Sequence, residues 1–212
     1  MKIKSEKDLK LKECIIKNLP IYRQSQELNC GAAASLIVLN HFLANKFPLN
    51  IRSERKISRR IRSKKYEYGN FCKIAALFAS CGLDAKLVFH GPNLKHPIFK
   101  KALFKAMLKE YLYELKKLSK KKKVKVVNKN FSIFDIISDL SEGYLVLVEI
   151  SYVDEELTHI LLLRGFRGKQ IFYIDPLVKN GGRHCYYGDL EKRADLKSLK
   201  NYIAVRKIEQ AP

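Results

Sequence analysis

The chain has 212 residues, with 42 Lys and Arg against 21 Asp and Glu, a formal charge of +21, and 47% apolar residues. That apolar share excludes a disordered chain, and the length suffices for one domain with a sizeable core. The cation excess points to acidic partners such as nucleic acid, an anionic membrane surface or an acidic peptide, or else to a plain solvated lysine-rich surface.

Residues 1–20 form a basic lead-in. Leu9, Leu11, Ile15 and Ile16 could make a short strand or helix there, and Pro20 ends it. Met1 to Lys12 is charged throughout, unlike a secretory signal. The polar loop Gln24-Ser25-Gln26-Glu27-Leu28-Asn29 then leads into Cys30 and Gly31. From Leu28 to Asn45 the chain runs 18 residues without Asp, Glu, Lys or Arg. Asn29, Ser35, Asn40 and His41 interrupt it, so it reads as a buried helix, Cys30 to Leu43, and not as a membrane span. Asn29 is the expected N-cap. A thiol at a helix start meets unpaired N–H groups and the positive end of the helix dipole, which favour its anion. Gln24, six residues earlier, can offer an amide donor to an oxyanion, and the Cys30 N–H can offer another. Gln26 is the rival for that role.

Arg52 to Lys65 holds eight basic residues in fourteen and one glutamate. Arg52, Lys56, Arg59 and Arg60 fall on one helical face, either solvated or in contact with an anion. Phe71 to Cys81 has helical spacing, closed by Gly82. Leu83 to Phe89 reads as a strand, and Pro97 to Leu118 as an amphipathic helix followed by the lysine run that ends at Lys123. Residues 95–130 stand out as a lysine-rich helical insertion. Val124 to Val127 is a short strand. Ser132 and Asp135 form a capping box for a helix ending before Gly143. Tyr144 to Tyr152 is a buried strand, and Asp154-Glu155-Glu156 an acidic loop.

Thr158 to Arg164 is a second buried strand, Gly165 to Lys169 a turn, and Gln170 to Asp175 the return strand, stopped by Pro176. With the turn centred near Arg167, Asp175 lies directly across from His159, Cβ to Cβ roughly 5 Å. A one-residue slip would put the two on opposite faces. Gly181-Gly182 is read as a loop, and Asn201 to Ile208 as the last strand. Helices mainly precede antiparallel strands, an α+β order.

Other constellations carry less. Cys14, Cys30, Cys72, Cys81 and Cys185 are an odd set without framework spacing, which points to free thiols in a reducing compartment, the cytoplasm. No pair has zinc-site spacing, and no cofactor is implied. His41 lies three helical turns from Cys30, about 16 Å away, too far to act as its base. His90 and His96 sit in a Gly-Pro loop and read as structural or exposed.

The Gln24-Ser25-x-x-x-x-Cys30-Gly31-x-Ala33 pattern, the later His159 at a strand start and the following Asp175-Pro176 resemble the bacteriocin-processing, papain-like cysteine peptidases (the C39-like family) and their stand-alone members. The resemblance runs from about Tyr22 to Val205. It implies a papain-like fold, with a helical lobe carrying the nucleophile packed on an antiparallel sheet that carries His and Asp. It implies one C39-like peptidase domain over residues 1–212. It implies Cys30 as nucleophile, His159 as base, Asp175 as orienter and Gln24 as oxyanion donor, acting on a peptide or protein substrate. The competing reading is a non-catalytic module of the same fold. Such a module would contact nucleic acid or acidic protein segments through Arg52–Lys65 and Lys117–Lys123.

Overall fold

A computed structural model describes residues 13–63, 69–90, 102–120, 124–151, 158–193 and 201–208. Most of the lead-in, Lys64 and Lys65, the start of the lysine-rich helix, His96, Lys121 to Lys123 and the acidic loop Asp154–Glu156 lie outside the described residues.

The strands are β1 (Glu13–Ile15), β2 (Leu83–Phe89), β3 (Val124–Asn128), β4 (Leu145–Ser151), β5 (Thr158–Arg167), β6 (Gln170–Ile174), β7 (Gly182–Tyr186) and β8 (Asn201–Lys207). They form one sheet in the order β3-β2-β8-β4-β5-β6-β7, with β1 added against β5. Among the described residues only the β2–β3 pairing is parallel. The helices are α1 (Cys30–Leu43), α2 (Ile51–Ile61), α3 (Phe71–Ser80), α4 (Ala102–Ser119), α5 (Ile133–Ser141) and α6 (Tyr187–Arg193). The fold is the expected mixed α+β arrangement.

Two cores lie on either side of the sheet. Leu36, Ile37, Ile57, Ile61, Ile74, Phe78 and Leu115 bring α1 to α4 onto the face presented by Leu87, Leu147, Ile160, Leu162 and Ile203. On the other face Ile133, Ile136, Ile137 and Leu190 bring α5 and α6 against Val146, Val148, Leu161, Leu163, Tyr173 and Tyr202. Strand alternation sorts the residues: Ile160 and Leu162 go to one core, Leu161 and Leu163 to the other. Helix α1 is the most enclosed, with every residue from Gly31 to Leu39 buried, as its all-apolar surface requires.

Several local expectations hold. Gly82, at φ +82°, follows the last residue of the α3 cap, the left-handed position glycine occupies most cheaply. The Asp135 carboxylate accepts the Ser132 N–H at 2.8 Å ahead of α5. Four details differ. Asn29 makes no side-chain cap to α1; a single 3-10 turn, Glu27–Asn29, runs straight into the helix instead. Gly182 begins strand β7, and the short α6 follows it. The Gly181-Gly182 pair disguised that strand as a loop. Gly165 lies inside β5, and the turn is the two residues between Arg167 and Gln170. The hairpin register shifts accordingly.

Candidate active site

The segment that leads into Cys30 is held from three sides. Its backbone is tied to the acid's turn, where the Gln24 N–H donates to the Pro176 carbonyl at 2.8 Å. From α2, the Glu54 carboxylate accepts the Ser25 N–H at 3.1 Å and the Tyr22 hydroxyl at 2.7 Å. The Ser58 hydroxyl donates to Asn29 Oδ1 at 3.1 Å, so the Asn29 side chain anchors to α2 and does not cap α1. From the sheet, β5 approaches Gly31 closely. A Cβ there would lie 3.1 Å from Ile160 Cδ1 and 3.4 Å from Ile74 Cδ1. The bare glycine thus lets the first turn of α1 sit on β5 beside His159.

His159 and Asp175 meet. His159 Nε2 lies 2.7 Å from Asp175 Oδ1, and the two residues are only 7% and 9% exposed. The register that brings them together is not the predicted one. Near the turn the pairs are Arg167 with Gln170, Phe166 with Ile171 and Gly165 with Phe172; beyond a bulge they become Leu163 with Tyr173 and Leu162 with Ile174. Continuing one step sets Asp175 across from Leu161, two residues along from His159 and on its side of the strand. Without the bulge Asp175 would lie across from Leu162, whose side chain enters the opposite core. The extra residue, Arg164, corrects the parity. The predicted pair is therefore real but diagonal.

Burial alone would push the imidazole down. Its hydrogen bonds to Asp175 and to Cys30, with the charges of both, outweigh burial and raise His159 to about 9. Cys30 therefore lies close enough to the ring to raise it. With Nε2 on Asp175, Nδ1 is the nitrogen left for sulfur. Burial would raise Asp175, but the bond to His159, the Leu177 N–H at 2.9 Å, and the charges of His159 and Arg183 bring it below the usual carboxylate value. An acceptor fixed by a backbone N–H keeps the imidazole oriented.

Gln24 is 7% exposed. Its Nε2 donates to the carbonyls of Gln26 at 2.8 Å and Glu27 at 2.7 Å. Two carbonyl partners dictate that the amide nitrogen faces them. Its Oε1 is buried without a hydrogen-bond partner. Both donors expected to serve an oxyanion are thus engaged by the residue's own loop. Gln26, by contrast, is exposed. Sequence reasoning missed Glu54, although Glu54, Ile57 and Ile61 share one face of α2 and are all buried. The i, i+3, i+7 spacing was the available signal.

No protein-family model matches the sequence, and neither does any curated protein. Solved structures do match. One is a double-glycine-motif protease from an AMS/PCAT transporter, crystallised with its leader peptide: 16% identity, TM-score 0.50, 92% of this chain and 98% of that one. Another is a protein from Bacillus anthracis described as a C39-like peptidase: 11% identity, TM-score 0.54, with the same coverage of 92% and 98%. The chain has the fold of these C39 peptidases.

Proposed function

We propose that the chain is a cysteine peptidase, a thiol hydrolase that cleaves peptide or related amide bonds through Cys30, His159 and Asp175. The observation that carries this reading is the buried 2.7 Å contact between His159 and Asp175, with Cys30 close enough to the same ring to raise it. A structural neighbour crystallised with a peptide supports a peptide substrate. Its double-glycine specificity is not carried over to this chain.

The steps use only side chains of the site. His159 takes the proton from Cys30, or the two rest as an ion pair. The sulfur attacks the carbonyl carbon, and the tetrahedral oxyanion accepts from the Cys30 N–H. The Gln24 amide joins once it leaves the Gln26 and Glu27 carbonyls; each donor is worth roughly 10²–10³ in rate. His159 passes its proton to the leaving nitrogen, the C–N bond breaks, and a thioester remains. Neutral His159 then takes a proton from water, whose oxygen attacks the thioester. The C–S bond breaks, and the proton held by His159 restores the starting site. Asp175 touches no reacting atom; it holds the ring in one tautomer.

A binding module without chemistry is the second reading. Arg52, Arg55, Lys56, Arg59 and Arg60 are exposed along α2, and Lys117 is exposed on α4. Digestion of a diverse peptide library separates the two readings. Peptide cleavage that Cys30→Ala abolishes supports the hydrolase. Salt-sensitive polyanion binding with no Cys30-dependent cleavage replaces it with the binder.

A further inference from the structure

A glutamate on a helix whose other charged residues are all cations is expected at the surface. Glu54 is instead 0% exposed, and both of its oxygens serve the segment ahead of the nucleophile. Oε1 and Oε2 each lie 3.1 Å from the Ser25 N–H, and Oε2 also accepts the Tyr22 hydroxyl at 2.7 Å. Burying a carboxylate is costly unless it is well bonded, so a core that only needed filling at this place would hold an apolar residue.

Gln24 lies between the two residues that Glu54 grips, and its own N–H is fixed to the Pro176 carbonyl. Its backbone is therefore clamped on both sides, by α2 and by the turn that carries Asp175. The side chain is the freer part, with its amide on the Gln26 and Glu27 carbonyls and its Oε1 unpartnered. Resting on the hydrolase reading above, we propose that Glu54 is a positioning residue for the oxyanion side of the site. It fixes the Tyr22–Ser25 backbone so that Gln24 has only its side-chain torsions to change when it turns to a developing oxyanion. Tyr22 shares this work as the hydroxyl that completes the carboxylate's bonding; burial, and then the bond to and charge of Glu54, keep that phenol protonated well above its ordinary range.

Two measurements on the same variants isolate this role. Alkylation of Cys30 by iodoacetamide is a displacement at carbon that builds no oxyanion. It reads the Cys30 sulfur and the His159 ring alone. Peptide hydrolysis requires the oxyanion donors as well. Glu54→Ala is expected to lower kcat for cleavage of a peptide library by about 10–100-fold, as misplacement of a reacting group by about an ångström does, while Cys30 alkylation stays within about 2-fold of wild type. Glu54→Gln, whose carbonyl can take the Oε2 position and keep both acceptor contacts while its NH2 lies beside the Ser25 N–H, is expected to recover kcat in part. Tyr22→Phe removes one bond without emptying the site and is expected to lower kcat by about 3–10-fold with alkylation unchanged; it decides the matter if Glu54→Ala does not fold. Unchanged kcat in folded variants overturns the proposal. So does a parallel fall of kcat and alkylation, which marks general collapse. A wild-type protein with no Cys30-dependent cleavage overturns the hydrolase reading itself, and the role of Glu54 with it.

Discussion

At the scale of single residues, the site depends on a histidine whose charge two neighbours maintain. His159 is raised to about 9, so the stability its charged form contributes is fully present below the ordinary value near 6.5 and is lost as pH rises towards 9. Asp175 is lowered; its contribution is present above about 3.8 and is lost as pH falls through its folded value. The kcat–pH profile is therefore expected to hold through neutrality and to fall on an alkaline limb near 9. Asp175→Asn keeps an acceptor but removes the charge, so that limb is expected to move towards neutral pH. Asp175→Ala removes the acceptor too and is expected to cost about 10²-fold in kcat. An alkaline limb that stays in place in Asp175→Asn would show that the carboxylate does not hold the imidazolium. Cys30, His159, Asp175 and Gln24 were all visible in the sequence as spaced residue types. The destination of the Gln24 donors was not, because a hydrogen bond to one's own loop depends on backbone torsions that residue identity leaves open.

At the scale of elements, glycines set the distances. The Gly31 approach to Ile160 leaves little room for a methyl group. Gly31→Ala is expected to push α1 off β5 by a few tenths of an ångström, lower stability by about 1 kcal/mol in urea unfolding, and reduce kcat more than it raises KM. Gly165 is less forgiving. At φ +155° its added Cβ would lie 2.1 Å from the Cys14 carbonyl oxygen and 2.5 Å from Ile15 Cα, where β1 crosses β5. Gly165→Ala is expected to lose more than about 2 kcal/mol, through backbone strain and a displaced β1. Because the bulge next to it sets the parity of Asp175, activity should fall as well; a variant with wild-type stability and kcat would contradict this account of the hairpin. Here lies the limit of sequence reading. Apolar alternation located β5 and β6, yet a bulge costs only one residue and leaves no compositional mark. Gly165 was read as the turn for the same reason that it tolerates the crossing: it has no side chain. The short α6 and β7 were hidden by the glycine pair before them.

At the scale of the whole molecule, order of elements and periodicity were enough for an α+β sheet protein, while the second helical layer emerges only from packing. The sheet has α5 and α6 on the side away from α1. Asp139 of α5 is bonded to Lys86 on β2 and, at 2.9 Å, to the Tyr202 hydroxyl on β8, which fastens that layer across the sheet. The charge of +21 acts at this scale too. Retention on a polyanion matrix is expected to fall steeply with salt and to be the same for Cys30→Ala. Retention indifferent to salt would remove the electrostatic reading of the surface.

Catalysis by this chain requires that sulfur 30 work together with ring 159. Competitive alkylation of the five cysteines at about pH 6, mapped residue by residue in wild type and His159→Ala, tests it most directly. Burial pushes the Cys72 thiol up to about 12 and raises that of Cys14, so both should be slow. The account predicts that Cys30 reacts far faster than the other four and loses that lead in His159→Ala. A Cys30 no faster than its neighbours, or equally fast without the imidazole, would contradict it.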